Sequence, residues 1–348
     1  MKKKSLSAKR TIHKSLLNYL KNKKINKVFK DFRNYLDKNC EKKIHIGVAL
    51  SGGPDSLALA FLAKCYSLIN KSNTKFFIVD HKLRKNSSKE AKLVKLFLRK
   101  FDINCKILKW KGKKPLSNVQ GIARNKRYDL LKKACKKNNI NNLLIGHHID
   151  DLYENFFIRL LRGSGLRGLS SFGEVIKEEQ KNISILRPLI KIEKKELIYI
   201  SKRVFQFFIE DPSNRNFLFQ RSRIRNLISE LNKEGLDKKK LNLTINNLKS
   251  ANNAINFYVE KNIQNNAKFI KQKNIYILNK FFFNQPEEVL FRSISSILKI
   301  VSGRYYSPRG KSILDLILKI NFNEVKKFTL GGCYIEKVNK TILITKEN

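Results

Sequence analysis

Ser51-Gly52-Gly53-Pro54-Asp55-Ser56 lies between an apolar run, residues 44–50, and a segment with helical periodicity, residues 57–69. A strand that enters a glycine turn and then a helix creates an anion site, because the first helical amides lack partners and the helix dipole is positive there. The glycines allow a tight turn, and Pro54 suits the first helical position, where no amide hydrogen is needed. The stretch predicts a phosphate-binding loop, although these residue types also form ordinary turns.

Asp55 distinguishes this loop from the Walker type, which places a lysine beside the phosphates. A carboxylate next to a phosphate is unfavourable unless it meets a cation, either a metal ion or an ammonium group. The hexapeptide resembles the SGGxDS pyrophosphate loop of the N-type ATP pyrophosphatases, which split ATP between its α and β phosphates to adenylate a carbonyl oxygen. That superfamily includes GMP and NAD synthetases, argininosuccinate synthetase and several tRNA-modifying enzymes, and the hexapeptide alone does not choose among them.

The composition is that of a globular and very basic chain. Of 348 residues, 42% are hydrophobic and 10% aromatic, and 74 basic against 28 acidic residues give a formal charge of +46. Such a charge attracts polyanions, and nucleic acid is the first candidate, although a lysine-biased proteome would also inflate the count. The length predicts two or three domains with a sizeable core.

The cysteines and the apolar runs bear on the compartment. Five cysteines are scattered without a C-x-x-C pair, which predicts neither a zinc site nor a disulfide framework and fits a reducing compartment. The basic N-terminus lacks the apolar segment of a signal peptide, and no apolar run reaches the roughly 18 residues of a membrane helix. We therefore expect a soluble cytoplasmic protein without a membrane partner.

Strands alternate with helices along residues 42–228, which predicts an α/β fold with a doubly wound, mostly parallel sheet. Four strands are expected, at residues 44–50, 75–80, 104–110 and 142–146. Such sheets bind ligands outside the carboxyl ends of their strands, near the switch in strand order. Three polar strand ends are therefore expected to converge on one crevice: Leu50-Ser51, Asp80-His81 and Gly146-His147.

The chain is expected to divide into three parts. Residues 1–41 form a basic helical lead-in, residues 42–228 the ATP pyrophosphatase domain, and residues 229–348 a smaller, mainly helical domain with short terminal strands. Apolar residues recur at helical spacing in the lead-in: Ile25, Val28, Phe29, Phe32 and Leu36. Ser87 to Glu90 resembles a capping box that opens a helix. A basic aromatic turn, residues 304–309, suits either stacking on unpaired bases or simple packing.

Residues 146–155, Gly-His-His-Ile-Asp-Asp-Leu-Tyr-Glu-Asn, form a second polar cluster at a predicted strand end. Asp150, Asp151 and Glu154 gather at the first turn of a helix, which the helix dipole alone would favour. Zinc is not expected because H-x-x-x-H spacing is absent, whereas Mg²⁺ shared with ATP phosphates suits one or two carboxylates. A histidine at this position is also a candidate general base.

Two further stretches are rich in arginine. Three arginines flank a Gly-Ser-Gly loop that ends a helix: Arg159, Arg162 and Arg167. They fit contacts with phosphate or the RNA backbone, or else solvated side chains beside a glycine C-cap. Residues 211–214, Asp-Pro-Ser-Asn, are of types common in turns. The arginines that follow need not share one helix face: Arg221, Arg223 and Arg225.

Together these blocks resemble the tRNA(Ile)-lysidine synthetase family far more specifically than any one of them does. The matching blocks occur in order: VDHKLR with S and EA in 79–91, GIARNKRY in 121–128, GHHIDD with RLLRGSGLRGL in 146–169, RPL in 187–189, and DPSN with RSRIR in 211–225. The resemblance is strong over residues 44–228 and loose in the carboxyl third. Leu152 and Asn155 stand where the family has glutamine and threonine, and a further carboxyl-terminal domain of longer members is expected to be missing.

This resemblance implies that ATP and L-lysine convert the wobble cytidine of a CAU-anticodon tRNA(Ile) into lysidine. ATP first adenylates the 2-carbonyl oxygen of cytosine, the lysine amine then attacks that carbon, and AMP and pyrophosphate are released. The implied partners are the tRNA and L-lysine, and the implied cofactors are ATP and Mg²⁺. A homodimer is left open.

The resemblance also implies the site residues. ATP binding is assigned to the loop and to the neighbouring strand ends: Ser51, Gly52, Gly53, Pro54, Asp55, Ser56, Asp80, His81, Arg124 and Gly146. Catalysis is assigned to Asp55, His147 and Asp151. The two carboxylates are expected to face Mg²⁺ or the lysine ammonium group, and His147 to assist proton removal from the amine. The tRNA is assigned to five arginines, of which Arg159 and Arg162 are also candidates for phosphate contacts: Arg159, Arg162, Arg167, Arg221 and Arg225.

Three other classes of protein remain as alternatives. A thiolation enzyme would carry sulfur on paired or catalytic cysteines or on an iron–sulfur cluster, and the scattered cysteines argue against it. A non-catalytic RNA-binding protein would show steep salt dependence without ATP turnover. A small-molecule synthetase would have no use for the excess positive charge.

Overall fold

The computed structural model describes residues 6–40, 45–83, 86–112, 119–172, 176–178, 183–209, 220–304, 307–321 and 326–347. Arg84, the 211–214 turn and the tyrosines of the 304–309 turn lie outside the described residues. The chain forms two compact units, Met1–Asp237 and Lys238–Asn348. The domain boundaries expected from the sequence stay predictions.

A six-stranded sheet lies at the centre of the first unit. Its strands are β1 (His45–Leu50), β2 (Asn73–Asp80), β3 (Cys105–Lys109), β4 (Asn142–Leu144), β5 (Ile176–Glu178) and β6 (Ile183–Leu186). The spatial order is β3-β2-β1-β4-β6-β5, in which only the β5–β6 pairing is antiparallel. The predicted doubly wound, mostly parallel sheet is confirmed, although β5 and β6 were not predicted because so short a run carries little periodicity.

Nine helices are described in this unit. They are α1 (Leu6–Asn18), α2 (Lys23–Asn39), α3 (Pro54–Asn70), α4 (Ser87–Arg99), α5 (Val119–Lys137), α6 (Ile149–Leu160), α7 (Leu166–Ser170), α8 (Lys194–Phe205) and α9 (Gln220–Lys233), with a 3₁₀ turn at Tyr19–Lys21. The apolar face predicted for the lead-in is confirmed on α2, where all five of its residues are buried in the core shared with α3 and α8. None of the described helices combines the length and apolar character needed to cross a bilayer.

The strand order places three loops side by side. β1 pairs with β2 on one side and with β4 on the other, so the order reverses between β1 and β4. The carboxyl ends of β1, β2 and β4 therefore meet at one edge, where doubly wound sheets bind ligands. The predicted convergence of the three strand ends is confirmed.

The start of α4 differs from the prediction. Ser87 lies inside the helix, Asn86 precedes it, and the side chains of Ser87 and Ser88 both donate to Asp80, at 2.9 and 2.5 Å. The capping box expected at Ser87 and Glu90 is therefore wrong. The buried carboxylate at the end of β2 is a charged acceptor within reach of both hydroxyls, and charge-assisted hydrogen bonds are the stronger kind.

The second unit contains more sheet than the sequence suggested. Its elements are α10 (Lys238–Asn266), β7 (Ala267–Ile270), β8 (Ile275–Leu278), a 3₁₀ turn (Lys280–Phe283), α11 (Glu287–Ser302), α12 (Gly310–Asn321), β9 (Lys327–Leu330), β10 (Cys333–Val338) and β11 (Thr341–Lys346). The strands form a five-stranded antiparallel sheet in the order β7-β8-β11-β10-β9. The two expected terminal strands are present as β9 and β11, whereas β7, β8 and β10 were not predicted. The buried face of the sheet packs with apolar residues of α11 and α12.

Gly52 occupies a backbone conformation that few other residues adopt. Its φ is +88°, and a Cβ there would lie 2.7 Å from Cγ2 of Val94. Val94 is 1% exposed on α4, and a β-branched side chain in a helix has little rotamer freedom. The carbonyl of Gly52 also accepts a hydrogen bond of 2.9 Å from the Ile209 amide. The turn after β1 therefore depends on glycine for both its dihedral angle and its space.

We expect Gly52→Ala to lower the free energy of unfolding by more than the roughly 1–3 kcal/mol of backbone strain alone, since the added methyl group must displace Val94. Gly163→Ala is the matched control, because its φ is +67° but no atom lies within 4 Å of an added Cβ. Urea unfolding followed by circular dichroism measures both variants. Equal losses would show that the contact with Val94 costs nothing.

Candidate active site

The hydroxyl of Ser56 closes the loop between β1 and α3. It accepts hydrogen bonds from the amides of Ser51 and Gly52, at 3.2 and 3.0 Å, and donates to the carbonyl of Gly53 at 2.9 Å. The Ser51 hydroxyl lies 3.2 Å from the same oxygen. Two loop amides that the sequence assigned to phosphate thus turn towards Ser56, and the donors left for an anion are the first-turn amides of α3.

Neighbouring segments hold this loop from two sides. Ser201 on α8 donates from its hydroxyl to the carbonyl of Pro54 at 2.6 Å. A Cβ on Gly146 would lie 3.4 Å from the Asp55 carbonyl oxygen, so the segment after β4 runs directly against the start of α3. These contacts fix the loop before any ligand arrives, which reduces the entropy cost of binding.

Two carboxylates flank one histidine beside this loop. Nε2 of His148 lies 3.5 Å from Oδ2 of Asp55 and 3.6 Å from Oδ2 of Asp151. His148 also caps α6: its amide donates to Asp151 at 3.1 Å, and its Nδ1 accepts from the Asp150 amide at 3.2 Å. The structure therefore brings Asp55 and Asp151 together. It also identifies His148, which the sequence assignment omitted in favour of His147; the signal was its position directly before the helix.

The protonation of His148 is set by competing effects. Burial disfavours the charged ring, but the hydrogen bond with Asp55 and the negative charges of Asp151, Asp55 and Asp150 outweigh burial and raise the pKa of His148. Since Nδ1 accepts the cap hydrogen bond, the proton of the neutral ring lies on Nε2. Protonating Nδ1 would break that cap. In either state His148 donates from Nε2 between the two carboxylates.

Some acceptors near this cluster lack donors. Oδ1 of Asp55, Oε2 of Glu154 and Oδ1 of Asn155 are buried without a hydrogen-bond partner. Among the described residues, no three His, Cys, Asp or Glu side chains surround a common point as ligands of a metal. Mg²⁺ usually takes only one or two carboxylates together with substrate phosphates and water, so the orphaned oxygen of Asp55 fits a cation of that kind. It fits an ammonium group equally well.

His147 has a different environment from its neighbour. Its Nδ1 accepts a hydrogen bond of 3.2 Å from Nε of Arg187. Burial lowers the pKa of His147 to about 3; Asp151 acts against this shift, and the charges of Arg187, Arg124 and Arg127 add to it. The ring is therefore neutral at physiological pH. Its assignment as a catalytic residue stays a prediction.

Arginines gather around Tyr128 on α5. Arg124 donates to the Tyr128 hydroxyl at 3.3 Å, and its guanidinium lies 5.2 Å from the ring centroid. Burial lowers the pKa of Arg127, and the charges of Arg124 and Arg221 reinforce the shift. Like charges this close repel each other unless an anion neutralises them. The cluster suits a polyphosphate, and contact of Arg124 with ATP stays a prediction.

The carboxylate at the end of β2 already has hydrogen-bond partners within the protein. Both carboxylate oxygens of Asp80 are used: Oδ1 accepts from the Lys82 amide at 3.0 Å and from Ser87, and Oδ2 accepts from Ser88. His81 has a buried Nδ1 without a partner, and burial and the Arg127 charge lower the pKa of His81 despite the nearby Asp80. Contacts of Asp80 and His81 with ATP stay predictions, and in this structure the Asp80 carboxylate holds the start of α4.

The five arginines assigned to tRNA fall into two groups. Arg162, Arg167 and Arg221 are exposed, and Arg162 donates to the Gln220 side chain at 3.3 Å. Arg159 donates to the Gly168 carbonyl at 2.6 Å and to Ser171 at 2.8 Å, which holds the loop after α6. Arg225 donates from Nε to Oε1 of Glu154 at 2.6 Å and so joins α9 to α6. The structure does not collect all five on one free surface.

Known proteins resemble this chain along most of its length. A family model described as a PP-loop domain matches residues 18–231. The tRNA(Ile)-lysidine synthase of Wolbachia pipientis wMel is 31% identical over 320 residues, which are 91% of this chain and 74% of that protein. The protein of the same name from Orientia tsutsugamushi is 32% identical over 320 residues, 88% of this chain and 70% of that one.

A solved structure resembles the fold. The U34-tRNA thiolase NcsA from Methanococcus maripaludis, determined with its iron–sulfur cluster, superposes with a TM-score of 0.56. It is 21% identical and covers 65% of this chain and 80% of the thiolase. At this identity the likeness supports the fold only.

Removal of Arg225 separates a structural role from RNA contact. The Glu154 side chain is 3% exposed, so Arg225→Ala leaves a buried carboxylate without its partner. We expect a loss of about 3 kcal/mol in the free energy of unfolding, the low end for a buried pair because Arg225 is partly exposed.

Arg221→Ala, an exposed position on the same helix, is the control and should change stability by about 0.5 kcal/mol or less. Chemical denaturation gives both values. If Arg225→Ala weakens tRNA binding and leaves stability intact, the ion pair with Glu154 is not what holds α9.

Proposed function

This chain belongs to the PP-loop family and, within it, to the tRNA(Ile)-lysidine synthases, and on that premise we propose how its residues carry the reaction. The enzyme uses ATP to ligate L-lysine to carbon 2 of the wobble cytidine of a CAU-anticodon tRNA(Ile). ATP adenylates the 2-carbonyl oxygen and loses pyrophosphate; the amine of lysine then attacks the carbon, and AMP leaves. The product is lysidine.

One observation carries the assignment of roles: Asp55 and Asp151 flank His148 beside a preformed phosphate loop. Asp55 belongs to the first turn of α3 and Asp151 to the first turn of α6. Both helices begin at the switch point of the sheet, where a nucleotide and a second substrate can lie side by side. This concentration of negative charge would repel the ATP phosphates unless a cation, either Mg²⁺ or an ammonium group of the co-substrate, lay between them.

The site separates into a basic and an acidic side. The first-turn amides of α3, with Arg124 and Arg127, supply donors for the β and γ phosphates and stabilise the leaving pyrophosphate electrostatically. Gly52, Gly53 and Gly146 allow the nucleotide to approach the backbone closely. Polar groups fixed in this way before binding need no reorganisation during the reaction.

The acidic side receives the cation. Asp55, with its orphaned oxygen, and Asp151 face either Mg²⁺ or an ammonium group of L-lysine. When bound, Mg²⁺ would neutralise charge on the phosphates. The carboxylates and His148 orient the cation and hold the amine near the activated carbon. We place His147, the residue before His148, at the reacting centre.

The tRNA is bound through charge. The formal charge of +46 attracts the phosphate backbone of the anticodon stem and loop, and the exposed Arg162, Arg167 and Arg221 are our candidates for direct contacts. The reactive cytidine must leave its stack to be adenylated, as in other enzymes that modify single bases. We place this reaction in the cytoplasm.

The cysteines favour this reaction over thiolation. All five are free, and four of them are buried. Burial raises the pKa of Cys65, Cys105 and Cys135 to about 12, so their thiols are neutral and poor nucleophiles. A sulfur carrier needs an accessible thiolate or a cluster ligand set.

The activity has a direct test. The chain is incubated with ATP, labelled L-lysine and either tRNA(Ile) with a CAU anticodon or methionine tRNA, which carries the same anticodon. We expect label in the isoleucine tRNA only, with equal amounts of AMP and pyrophosphate. Release of ADP, or label in neither tRNA, would overturn the proposed reaction.

Asp55→Asn tests the acidic side. The amide has nearly the same shape but cannot balance a cation, so we expect at least a 100-fold loss of lysidine formation with tRNA binding and its salt dependence unchanged. Asp129→Asn, an exposed acid on α5, is the control and should retain full activity. An active Asp55→Asn would remove this carboxylate from the chemistry.

A further inference from the structure

Arg187 is a buried cation that the proposed roles leave unexplained. It follows β6 directly and is 4% exposed. Its amide donates to the hydroxyl of Tyr35 on α2 at 3.2 Å, and its guanidinium lies 5.3 Å from the ring centroid of Phe172. A side-chain hydrogen bond joins it to Tyr128. Burying a charged group is costly, and this one is fixed on several sides.

Arg187 contacts the side chain of His147, which lies just after β4. Nε of Arg187 lies 3.2 Å from Nδ1 of His147, and the imidazole ring lies 5.6 Å from Phe172. Arginine is always a donor and never an acceptor. Nδ1 must therefore accept this hydrogen bond, and the single proton of the neutral imidazole lies on Nε2.

We infer that Arg187 is a positioning residue that locks His147 as its Nε2–H tautomer, so that His147 presents a hydrogen-bond donor to the reacting centre. This differs from the proton acceptor predicted from the sequence. Nδ1 of His147 already accepts the hydrogen bond from Arg187. The other ring nitrogen, Nε2, carries the proton of the neutral ring and has no lone pair with which to take another.

The surroundings of His147 keep the ring in this form. Among the described residues, the charges that act on the pKa of His147 are those of Arg187 after β6, Arg124 and Arg127 on α5, and Asp151 on α6. Three cations against one carboxylate, around a partly buried ring, disfavour the imidazolium. Arg187 thus supplies both the hydrogen bond that selects the tautomer and part of the field that prevents protonation.

A donor suits the chemistry, and this step of the inference rests on the proposed function. Negative charge resides on the phosphoryl oxygens when pyrophosphate leaves and again when AMP leaves. A fixed neutral donor stabilises such charge without giving up its proton. The proton of the attacking amine then passes to another base, and the carboxylates that flank His148 are the acceptors within the site.

The tautomer is measured directly by nitrogen-15 NMR of histidine side chains in the intact protein. The chain has five histidines, and His147→Gln assigns the signal. We expect Nδ1 of His147 to show the shift of an unprotonated nitrogen and Nε2 that of a protonated one, unchanged across the pH range in which the protein stays folded. A protonated Nδ1, or titration near the usual histidine pKa, would overturn the inference.

Paired variants test the role of Arg187. Arg187→Gln retains an N–H donor without the charge, whereas Arg187→Met removes the donor. We expect the His147 tautomer to survive in Arg187→Gln and to be lost in Arg187→Met, with a fall in kcat of about 100-fold only in the latter. Retention of the tautomer in Arg187→Met would show that Arg187 does not select it. If Arg187→Met does not fold, the wild-type spectrum and the glutamine variant still decide.

The role of His147 is tested on the same scale. His147→Gln places an amide N–H near the Nε2 position and should lose about 10-fold or less in kcat, whereas His147→Ala should lose about 100-fold. Equal losses would favour a base over a donor and overturn the inference. His45→Gln, at an exposed histidine, is the control.

The spectra, together with the lysine-incorporation assay, distinguish failure of the tautomer assignment from failure of the proposed reaction. The expected tautomer without any lysine incorporation would contradict the proposed function and leave the positioning by Arg187 intact. Lysine incorporation with the opposite tautomer would do the reverse.

Discussion

The hydroxyl of Ser56 fixes the turn on which the site depends. By accepting the amides of Ser51 and Gly52 and donating to Gly53, it closes the chain between the central strand and α3. The closed turn requires a positive φ at Gly52, in contact with α4. Once this geometry is set, the first amides of α3 face the switch point of the sheet, and Asp55 is carried to the acidic side. The glycine, the serine and the carboxylate thus act as one unit.

Two adjacent histidines show that the site gives different protonation behaviour to two side chains of the same type. His148 caps α6 between carboxylates, which raise its pKa despite burial. His147 points to arginines, and burial with their charges holds its pKa at about 3. Environments that shift the pKa values of neighbouring groups in opposite directions are typical of sites in which those groups have different roles. Both rings carry a proton on Nε2, one towards the acidic side and one beside the basic side.

The arginines illustrate a limit of reading function from residue type. The arginines that flank the glycine loop and those on α9 have similar sequence surroundings, yet Arg159 holds a loop and Arg225 neutralises a buried glutamate. Arg162, Arg167 and Arg221 are exposed and remain candidates for the phosphate backbone. A very basic chain uses part of its positive charge internally, because buried carboxylates and carbonyl groups must be paired. Only burial separates these uses.

The sequence by itself determined the parallel sheet, the phosphate loop and the family, because period, turn chemistry and motif order are local properties of the chain. It also placed Asp55 and Asp151 at one edge, since the carboxyl ends of parallel strands must meet there. Only the tertiary structure decided that His148 lies between those carboxylates, that Arg187 donates a hydrogen bond to His147 and that Asp80 accepts hydrogen bonds from the start of α4. The sheet of the second unit was likewise not predicted in full, because its strands are short. These features depend on residues distant in the chain, 40 positions apart for Arg187 and His147, and no local pattern encodes which side chains a fold will bring within a hydrogen bond of each other.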